Sequence, residues 1–294
     1  MKWLTILNPA SSGRRTEKRI DYIKDNLSKI SEKMIVTTHQ GHAKEIAQEA
    51  KDYDGIAVAG GDGTIFEVIN GMDIKRQVIG ILPVGTANCL AREFKMNNLK
   101  DGIKAIKGSH TEKIDILHLK FTDSDDNQTQ AYATITLGLG YPTNVAEFAN
   151  QKLKFMGNFC YPVAALIIAF KNVSKSYSIM LNGNQPEKKT LNGLIINNSR
   201  FAGNFTLFPD AKIKDGRFEV METNANFFSQ TLHNLSVFSG TYFYNPANQF
   251  SSNLMEIITD EPHNLMVDGE IFENITKLSI EMLPRSLTCH TNGV

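Results

Sequence analysis

The residues best suited to chemistry are Gly60-Gly61-Asp62-Gly63-Thr64, followed by Ile65, Phe66, Val68 and Ile69 at helical spacing. The glycines permit positive φ and close approach of a ligand to the backbone, and a loop that opens a helix offers unpaired N–H groups and partial positive charge. Such a place suits phosphate. Asp62 at its centre is repelled by polyphosphate unless a divalent cation or a transferable proton lies between them, which is the situation of a phosphoryl-transfer site. A glycine-rich turn capped by Asp62 or Thr64 explains the same residues without a ligand. Far downstream, Asp268-Gly269-Glu270 offers two carboxylates. In extended backbone they point the same way, with a glycine between them that admits a ligand; in a tight turn they are two solvated acids. Phosphoryl transfer needs little more than positioning, charge neutralisation and a carboxylate near the attacking hydroxyl. The seven histidines are scattered without metal-ligand spacing, and no Ser/His/Asp or Cys/His arrangement competes.

The elements that must position these residues alternate. Trp3 to Leu7 reads as a strand ending in the turn Asn8-Pro9-Ala10-Ser11-Ser12-Gly13, and Ile20, Ile23, Leu27 and Ile30 mark a helix. Arg14, Arg15, Lys18 and Arg19 crowd that helix's first turns, where the dipole disfavours cations, so either an anion sits there or the face is solvated. Met34 to Thr38 is a second strand, Ala43, Ile46, Ala47 and Ala50 a second helix, and Gly55 to Ala59 the strand before the glycine loop. Val78 to Leu82 is a fourth strand, followed by Pro83-Val84-Gly85-Thr86-Ala87-Asn88 and a helix with Leu90, Ala91 and Phe94. Thr86 and Asn88 bond a ligand or cap that helix. Alternation of this kind predicts right-handed crossovers and a parallel sheet whose strand ends bring the four loops together. From about Lys113 the rhythm stops. Ile114 to Phe121, Ala131 to Leu137, Ser176 to Leu181, Leu191 to Asn197, Arg217 to Glu222, Leu254 to Thr259 and Leu278 to Met282 read as strands of an antiparallel sheet or sandwich, with Thr122 to Gln130 a polar hairpin tip.

At 294 residues the chain is long enough for two domains, each with its own core. Lys plus Arg equals Asp plus Glu at 31 each, which excludes a bulk-basic nucleic-acid binder and any global attraction to anionic membranes. Membrane contact must then be local. Cys89, Cys160 and Cys289 are far apart and odd in number, so no disulfide framework is expected and a reduced, cytoplasmic setting fits. The segment before Asn8 is too short for a signal peptide, and the longest apolar stretch, Phe155 to Phe170, is interrupted by Gly157, Asn158 and Pro162 and falls short of a transmembrane span.

The run from Gly60 to Gly71, with Asn8-Pro9 before it and Pro83 to Asn88 after it, resembles the diacylglycerol/sphingosine lipid-kinase family in its bacterial form. The resemblance continues through Leu137-Gly138-Leu139-Gly140, Ile195 to Asn198, Pro209 to Gly216 and Val267-Asp268-Gly269-Glu270, in the family's order and over nearly the whole chain. Phe66 and Cys89 depart from it, standing where the family commonly has Asn and Asp. The resemblance implies an N-terminal Rossmann-like βαβ nucleotide domain, residues 1–112 plus about 285–294, and a second, mainly antiparallel β-sandwich domain, residues 113–284. It implies ATP held by Gly60, Gly61, Asp62, Gly63, Thr64, Ile65 and Phe66, with Thr37, Gly85, Thr86 and Asn88 assisting and Asp62 facing the phosphates. It implies Mg2+ on the Asp215 side chain and the carbonyls of Lys212 and Arg217, with Glu270 as general base and Asp268 as orienting or assisting acid. The expected substrate is a lipid hydroxyl at a membrane surface, met by a cytoplasmic, peripheral protein with no nucleic-acid partner and no transmembrane segment, and a homodimer is the assembly to test. An NAD-kinase-like phosphotransferase and a non-catalytic nucleotide or lipid sensor are the rival readings. Phe155, Phe159, Val163, Leu166 and Phe170 lie at helical spacing and read as a buried core stripe, or else as the lining of a cleft for acyl chains; Phe227-Phe228 and Phe238 to Tyr244 could serve equally.

Overall fold

The structure, a computed structural model, describes residues 1–11, 16–171 and 173–293; Arg14 and Arg15 of the basic cluster lie outside the described residues. The chain forms two units, one of Met1–Ile116, Ile213–Asp215 and Leu283–Val294, the other of Leu117–Lys212 and Gly216–Met282.

In the first unit the elements run β1 (Trp3–Leu7), α1 (Thr16–Leu27), β2 (Ser31–Val36), α2 (His42–Glu49), β3 (Gly55–Gly60), α3 (Asp62–Ile69), β4 (Val78–Pro83), α4 (Cys89–Glu93) and α5 (Leu99–Lys107). The strands are parallel in the order β4-β3-β1-β2. Every residue of β3 and β4 is buried, as expected of parallel strands covered on both faces. Packed between sheet and helices are Trp3, Leu7, Ile23, Leu27, Ile103 and Ile106, large apolar groups that each stabilise by about 1.5–3 kcal/mol when taken from water. β1 pairs with β2 on one side and β3 on the other, so the order reverses at β1, and ligands of such sheets bind outside the strand ends at that reversal. Ile213–Asp215, placed by sequence in the second domain, joins this unit because Ile213 O accepts from Asp115 N at 2.9 Å and Lys214 pairs with Glu112. The chain's last strand also ends here: Thr288–His290 lies parallel to β4, and buried Asp115 accepts from Arg285 N at 2.7 Å.

The remaining elements are β5 (Thr111–Asp123), β6 (Gln128–Ala133), β7 (Thr136–Gly140), α6 (Tyr141–Lys152), a 3-10 turn (Lys154–Phe159), α7 (Cys160–Phe170), β8 (Lys175–Leu181), β9 (Glu187–Leu191), β10 (Gly193–Asn197), β11 (Phe201–Ala202), β12 (Phe205–Thr206), β13 (Phe218–Thr223), α8 (Phe227–Phe238), β14 (Asn248–Ser252), β15 (Leu254–Val267) and β16 (Glu270–His290). Within the second unit these strands pair antiparallel, and β15, paired with β16 on one edge, serves two partners on the other, β8 along its first half and β7 along its last three residues. The result is an α/β first unit and a sandwich-like antiparallel second unit. Two further details differ from the sequence reading. The single strand expected from Ala131 to Leu137 is broken at Thr134-Ile135, whose N–H groups turn to a carboxylate instead of a neighbouring strand. The apolar stripe of α7 is not core: Phe159 and Phe170 are 70% and 71% exposed, and the helix buries Ala164, Ala165 and Ala169 instead.

Candidate active site

The glycine loop sits where the order of the parallel strands reverses, and α3 is the hub of its neighbours. The loop after β1 is tied to it by Asn8 Nδ2, which donates to Thr64 Oγ1 at 2.8 Å, and by Ser11 Oγ, which accepts from Gly61 N at 3.4 Å. The loop after β2 is tied by Glu67, whose two oxygens accept from Gly41 N at 2.9 Å and Ala43 N at 3.1 Å and so satisfy the start of α2. The loop after β4 is tied by Asp62, whose Oδ1 accepts from Cys89 N at 2.8 Å at the start of α4. Three side chains of one helix and its lead-in thus fix three other loops, which are separated from it by 24 to 56 residues in sequence.

This geometry decides between the two sequence explanations of the glycine loop. Neither Asp62 nor Thr64 caps α3: both are directed elsewhere, and the N-cap residue is Gly61, which has no side chain to cap with. The first-turn N–H groups therefore receive no side-chain cap, the condition under which a helix start takes an anion. The glycines are there for closeness, and the expectation of positive φ is corrected: Gly60, Gly61, Gly63 and Gly85 all have ordinary backbone sign. A Cβ on Gly60 would lie 2.4 Å from Thr64 Cβ, and one on Gly85 would lie 2.4 Å from the Gly61 Cα. The loops after β3 and β4 pack backbone on backbone.

Asp62 is half-buried, and burial raises its pKa above the ordinary carboxylate value, against the Cys89 and Leu90 N–H donors, the Cys89 thiol and the Arg92 charge, which lower it. Cys89 in place of the family's usual Asp puts a donor, not a second carboxylate, beside this group. Of the other expected nucleotide residues, Ile65 and Phe66 are buried, at 1% and 7% exposure, so only their backbone is available to a ligand. Thr37 is buried just beyond β2 with its N–H on Leu7 O, and Thr86 is exposed. Asn88 adopts the left-handed conformation at φ 48 and closes its own turn, Oδ1 accepting from Gly85 N at 3.0 Å and Nδ2 donating to Gly85 O at 2.9 Å. That choice of residue follows from the backbone, because Asn tolerates this region.

In the second unit Asp268-Gly269 is the two-residue turn of the β15–β16 hairpin, with φ of 47 and 95, the signs of a type I′ turn. The extended arrangement that would aim Asp268 and Glu270 together is therefore corrected. Asp268 is buried and its carboxylate is filled: Oδ1 accepts from Ile135 N at 2.9 Å and Thr136 N at 2.8 Å, and Oδ2 from Thr134 N at 2.8 Å and Thr134 Oγ1 at 3.2 Å. Consecutive N–H groups curled round an anion form a nest, and four accepted bonds use about all of a carboxylate's lone-pair sites. Asp268 anchors the turn through these four bonds, the geometry of an orienting group. Glu270, the first residue of β16, is partly exposed and pairs across the turn with Val267.

Lys212, Asp215 and Arg217 occur in the turn before β13, all three exposed, with Gly216 at φ 76 and buried Ala211, Ile213 and Phe218 as anchors. One carboxylate and two backbone carbonyls make an all-oxygen donor set, which suits a hard cation. Among the described residues no group of three or more His, Cys, Asp and Glu is gathered as a metal cluster. Sequence reasoning missed the partners of Asp62, Glu67 and Asp268. The one available signal was a lone mid-helix glutamate, Glu67, on a helix otherwise apolar after its first turn.

A family model described as the diacylglycerol kinase catalytic domain matches residues 2–119, and one described as the YegS C-terminal NAD kinase beta sandwich-like domain matches residues 135–291. A diacylglycerol kinase of Staphylococcus carnosus (strain TM300) is 28% identical over 234 residues, 78% of this chain and 73% of that one. A diacylglycerol kinase of Staphylococcus aureus (strain JH9) is 27% identical over 278 residues, 90% of this chain and 84% of that one. In fold, a crystal structure of a diacylglycerol kinase from Bacillus anthracis str. Sterne aligns with TM-score 0.75 at 22% identity, covering 99% of this chain and 97% of that one. An NAD kinase from Archaeoglobus fulgidus in complex with ATP aligns with TM-score 0.53 at 12% identity, covering 99% and 94%. Because the two models run in order through the glycine loop, the Asp215 turn and the Asp268 hairpin, the chain belongs to the diacylglycerol kinase family.

Proposed function

We propose that this protein is an ATP-dependent lipid kinase that transfers the γ-phosphoryl group to a hydroxyl of diacylglycerol or a related lipid. The observation that carries the reading is the start of α3 without a side-chain cap, at the strand-order reversal, pinned by Asn8, Asp62 and Glu67 in a diacylglycerol kinase family chain. Backbone N–H groups there receive the phosphates of ATP, and the glycines let the two loops close on one another. Asp62 sets the position of the Gly85–Asn88 turn. Asp215, with the carbonyls of Lys212 and Arg217, would hold Mg2+, which when bound would neutralise phosphate charge. Glu270 takes the proton of the attacking hydroxyl, and Asp268 fixes the turn that presents it.

The second reading, an NAD-kinase-like phosphotransferase on a soluble substrate, is favoured by the shared fold with the Archaeoglobus fulgidus NAD kinase. The test is transfer of label from [γ-32P]ATP to a panel of diacylglycerol, monoacylglycerol, ceramide and a sphingoid base in detergent, with NAD as a further acceptor. Label in a lipid supports the proposal. Label in NAD alone, with every lipid blank, overturns it.

A further inference from the structure

Two helices of the second unit are built the wrong way round for a protein surrounded by water. α7 buries its smallest residues, Ala164, Ala165 and Ala169, while Leu166 and Phe170 are 45% and 71% exposed and Phe159, at its N-cap, is 70% exposed. α8 buries Gln230, His233, Ser236 and Val237, while Phe228, Leu232 and Leu235 are 77%, 45% and 58% exposed. Offsets of seven and eleven from Phe159, and of four and seven from Phe228, put each set on one face of its helix. The two faces are joined by Phe227, which stacks on Phe170 at 4.0 Å and meets Phe228 edge-on at 5.5 Å. Interior demand explains the arrangement only in part, since three of the four buried residues of α8 are polar. A contiguous exposed apolar surface of this kind marks an interaction site.

The charges nearby select the partner. Between Glu147 and Glu187 the chain carries Lys152, Lys154, Lys171 and Lys175 and no carboxylate, and between Glu222 and Glu256 it carries no Asp, Glu, Lys or Arg at all. Lys152 and Lys171, at the two ends of the α6–α7 segment, are exposed. An apolar face on two helices that carry no carboxylate of their own, flanked by Lys152 and Lys171 and by Lys175, the last paired with Glu261, fits a sheet of negative headgroups over hydrocarbon. We propose that the α7–α8 face, presenting Phe159, Leu166, Phe170, Phe228, Leu232 and Leu235, docks the protein on the surface of an anionic lipid bilayer. The face lies within one unit and needs neither a bulk positive charge, which the balanced composition lacks, nor a spanning helix; among the described residues no helix is long and apolar enough to cross a membrane. The inference deepens the lipid-kinase reading and rests on it for the expectation that substrate is met at a bilayer.

The test uses the full chain, as wild type, as Phe159→Ser/Phe170→Ser/Phe228→Ser, and as Lys152→Gln/Lys171→Gln. Each is floated with vesicles of phosphatidylcholine mixed with phosphatidylglycerol and with vesicles of phosphatidylcholine alone. Wild type binds the mixed vesicles, the triple variant at least about tenfold less, and the lysine variant several-fold less, with melting temperatures unchanged because the replaced groups are exposed. Phosphorylation of a short-chain, monomeric diacylglycerol stays within about twofold of wild type in the lysine variant, while phosphorylation of vesicle-embedded diacylglycerol falls with binding in both variants. Vesicle binding by the triple variant equal to wild type overturns the proposal, as does a wild type that ignores mixed vesicles. Loss of self-association in the centrifuge with vesicle binding intact also overturns it and makes a second copy the occupant. If no lipid is phosphorylated in any form yet binding follows the expected order, the kinase reading fails and the docking face stands.

Discussion

Replacing Asp268 separates architecture from chemistry at the hairpin that carries Glu270. Its carboxylate is the common acceptor for the N–H groups of Thr134, Ile135 and Thr136 and for the Thr134 hydroxyl, all in residues no more than 7% exposed. Asp268→Ala leaves those donors buried without an acceptor at about 1–3 kcal/mol each, partly offset by removal of a buried charge, for a net loss of about 3–5 kcal/mol. Ala at φ 47 adds about 1 kcal/mol of left-handed strain, which Asp268→Gly removes. Asp268→Asn tolerates that φ and retains one acceptor oxygen, but turns an NH2 group toward the Thr134 donors, for a loss of about 2–3 kcal/mol. The expected order of stability is wild type, Asn, Gly, Ala. Urea unfolding gives the order, and amide hydrogen exchange at Ile135 and Thr136 gives its location. Activity should fall in all three variants in step with loss of protection at those amides. An Asn variant with unchanged exchange and unfolding but a hundredfold lower kcat would refute the reasoning, because it would make Asp268 a chemical group.

Glu270→Gln should lower kcat by about 10²–10⁴ with ATP affinity and melting temperature unchanged; turnover within about threefold of wild type removes Glu270 as the base. Asp62→Asn keeps an acceptor for Cys89 N but removes the buried charge. Since the folded pKa of Asp62 is raised, its contribution to wild-type stability is fully present below the unfolded value of 3.8 and is lost as pH rises through the folded value. The Asn variant should therefore gain on wild type as pH rises across that window, and a constant difference in melting temperature would contradict the burial seen here. Gly85→Ala, whose Cβ would meet the Gly61 Cα at 2.4 Å, should raise the Kd for ATP more than it lowers the melting temperature; unchanged ATP binding in calorimetry would show that the two loops need not touch. Asp215→Ala should shift the Mg2+ titration of activity to higher concentration, and an unchanged titration would leave Asp215 as a turn residue.

The parallel unit was legible because its signals are local. Apolar runs such as Gly55 to Ala59, each followed by a turn and a helical stripe, fix a crossover order without knowledge of distant partners, and β3 and β4 are wholly buried as such runs require. The glycine loop was legible as a place, though not in its reason: it holds no positive φ, and its glycines answer to Thr64 and Gly85, the second of which lies in a different loop. What stayed hidden was the destination of each carboxylate. Glu67 caps a helix 24 to 26 residues before it, Asp62 one 27 residues after it, and Asp268 a strand break 132 to 134 residues before it. Spacing along the chain carries no trace of such pairs. The α7 stripe failed for another reason, since periodicity reports that a helix has two faces and leaves open which of them is turned inward.

The fates of the acidic groups bear on how a polyphosphate can be accepted among so many acids. A carboxylate about 4 Å from a phosphate charge costs about 4 kcal/mol at an effective dielectric near 20, enough to cancel several hydrogen bonds to the ligand. Here Asp62 and Glu67, the acids of α3 that flank the proposed phosphate site, are each bound by backbone N–H groups at the start of a neighbouring helix, so their charge is met by positive dipole ends. Asp268 is met in the same way by its nest. Of the other acids of the recognised motifs, Asp215 is exposed and Glu270 partly exposed. These two are the ones that phosphoryl transfer would need accessible, one to meet a cation and the other a proton. The proposed function thus gives Asp62, Glu67 and Asp268 a structural part, read from the N–H groups gathered on them, and makes Asp215 and Glu270 the residues whose replacement tests the chemistry.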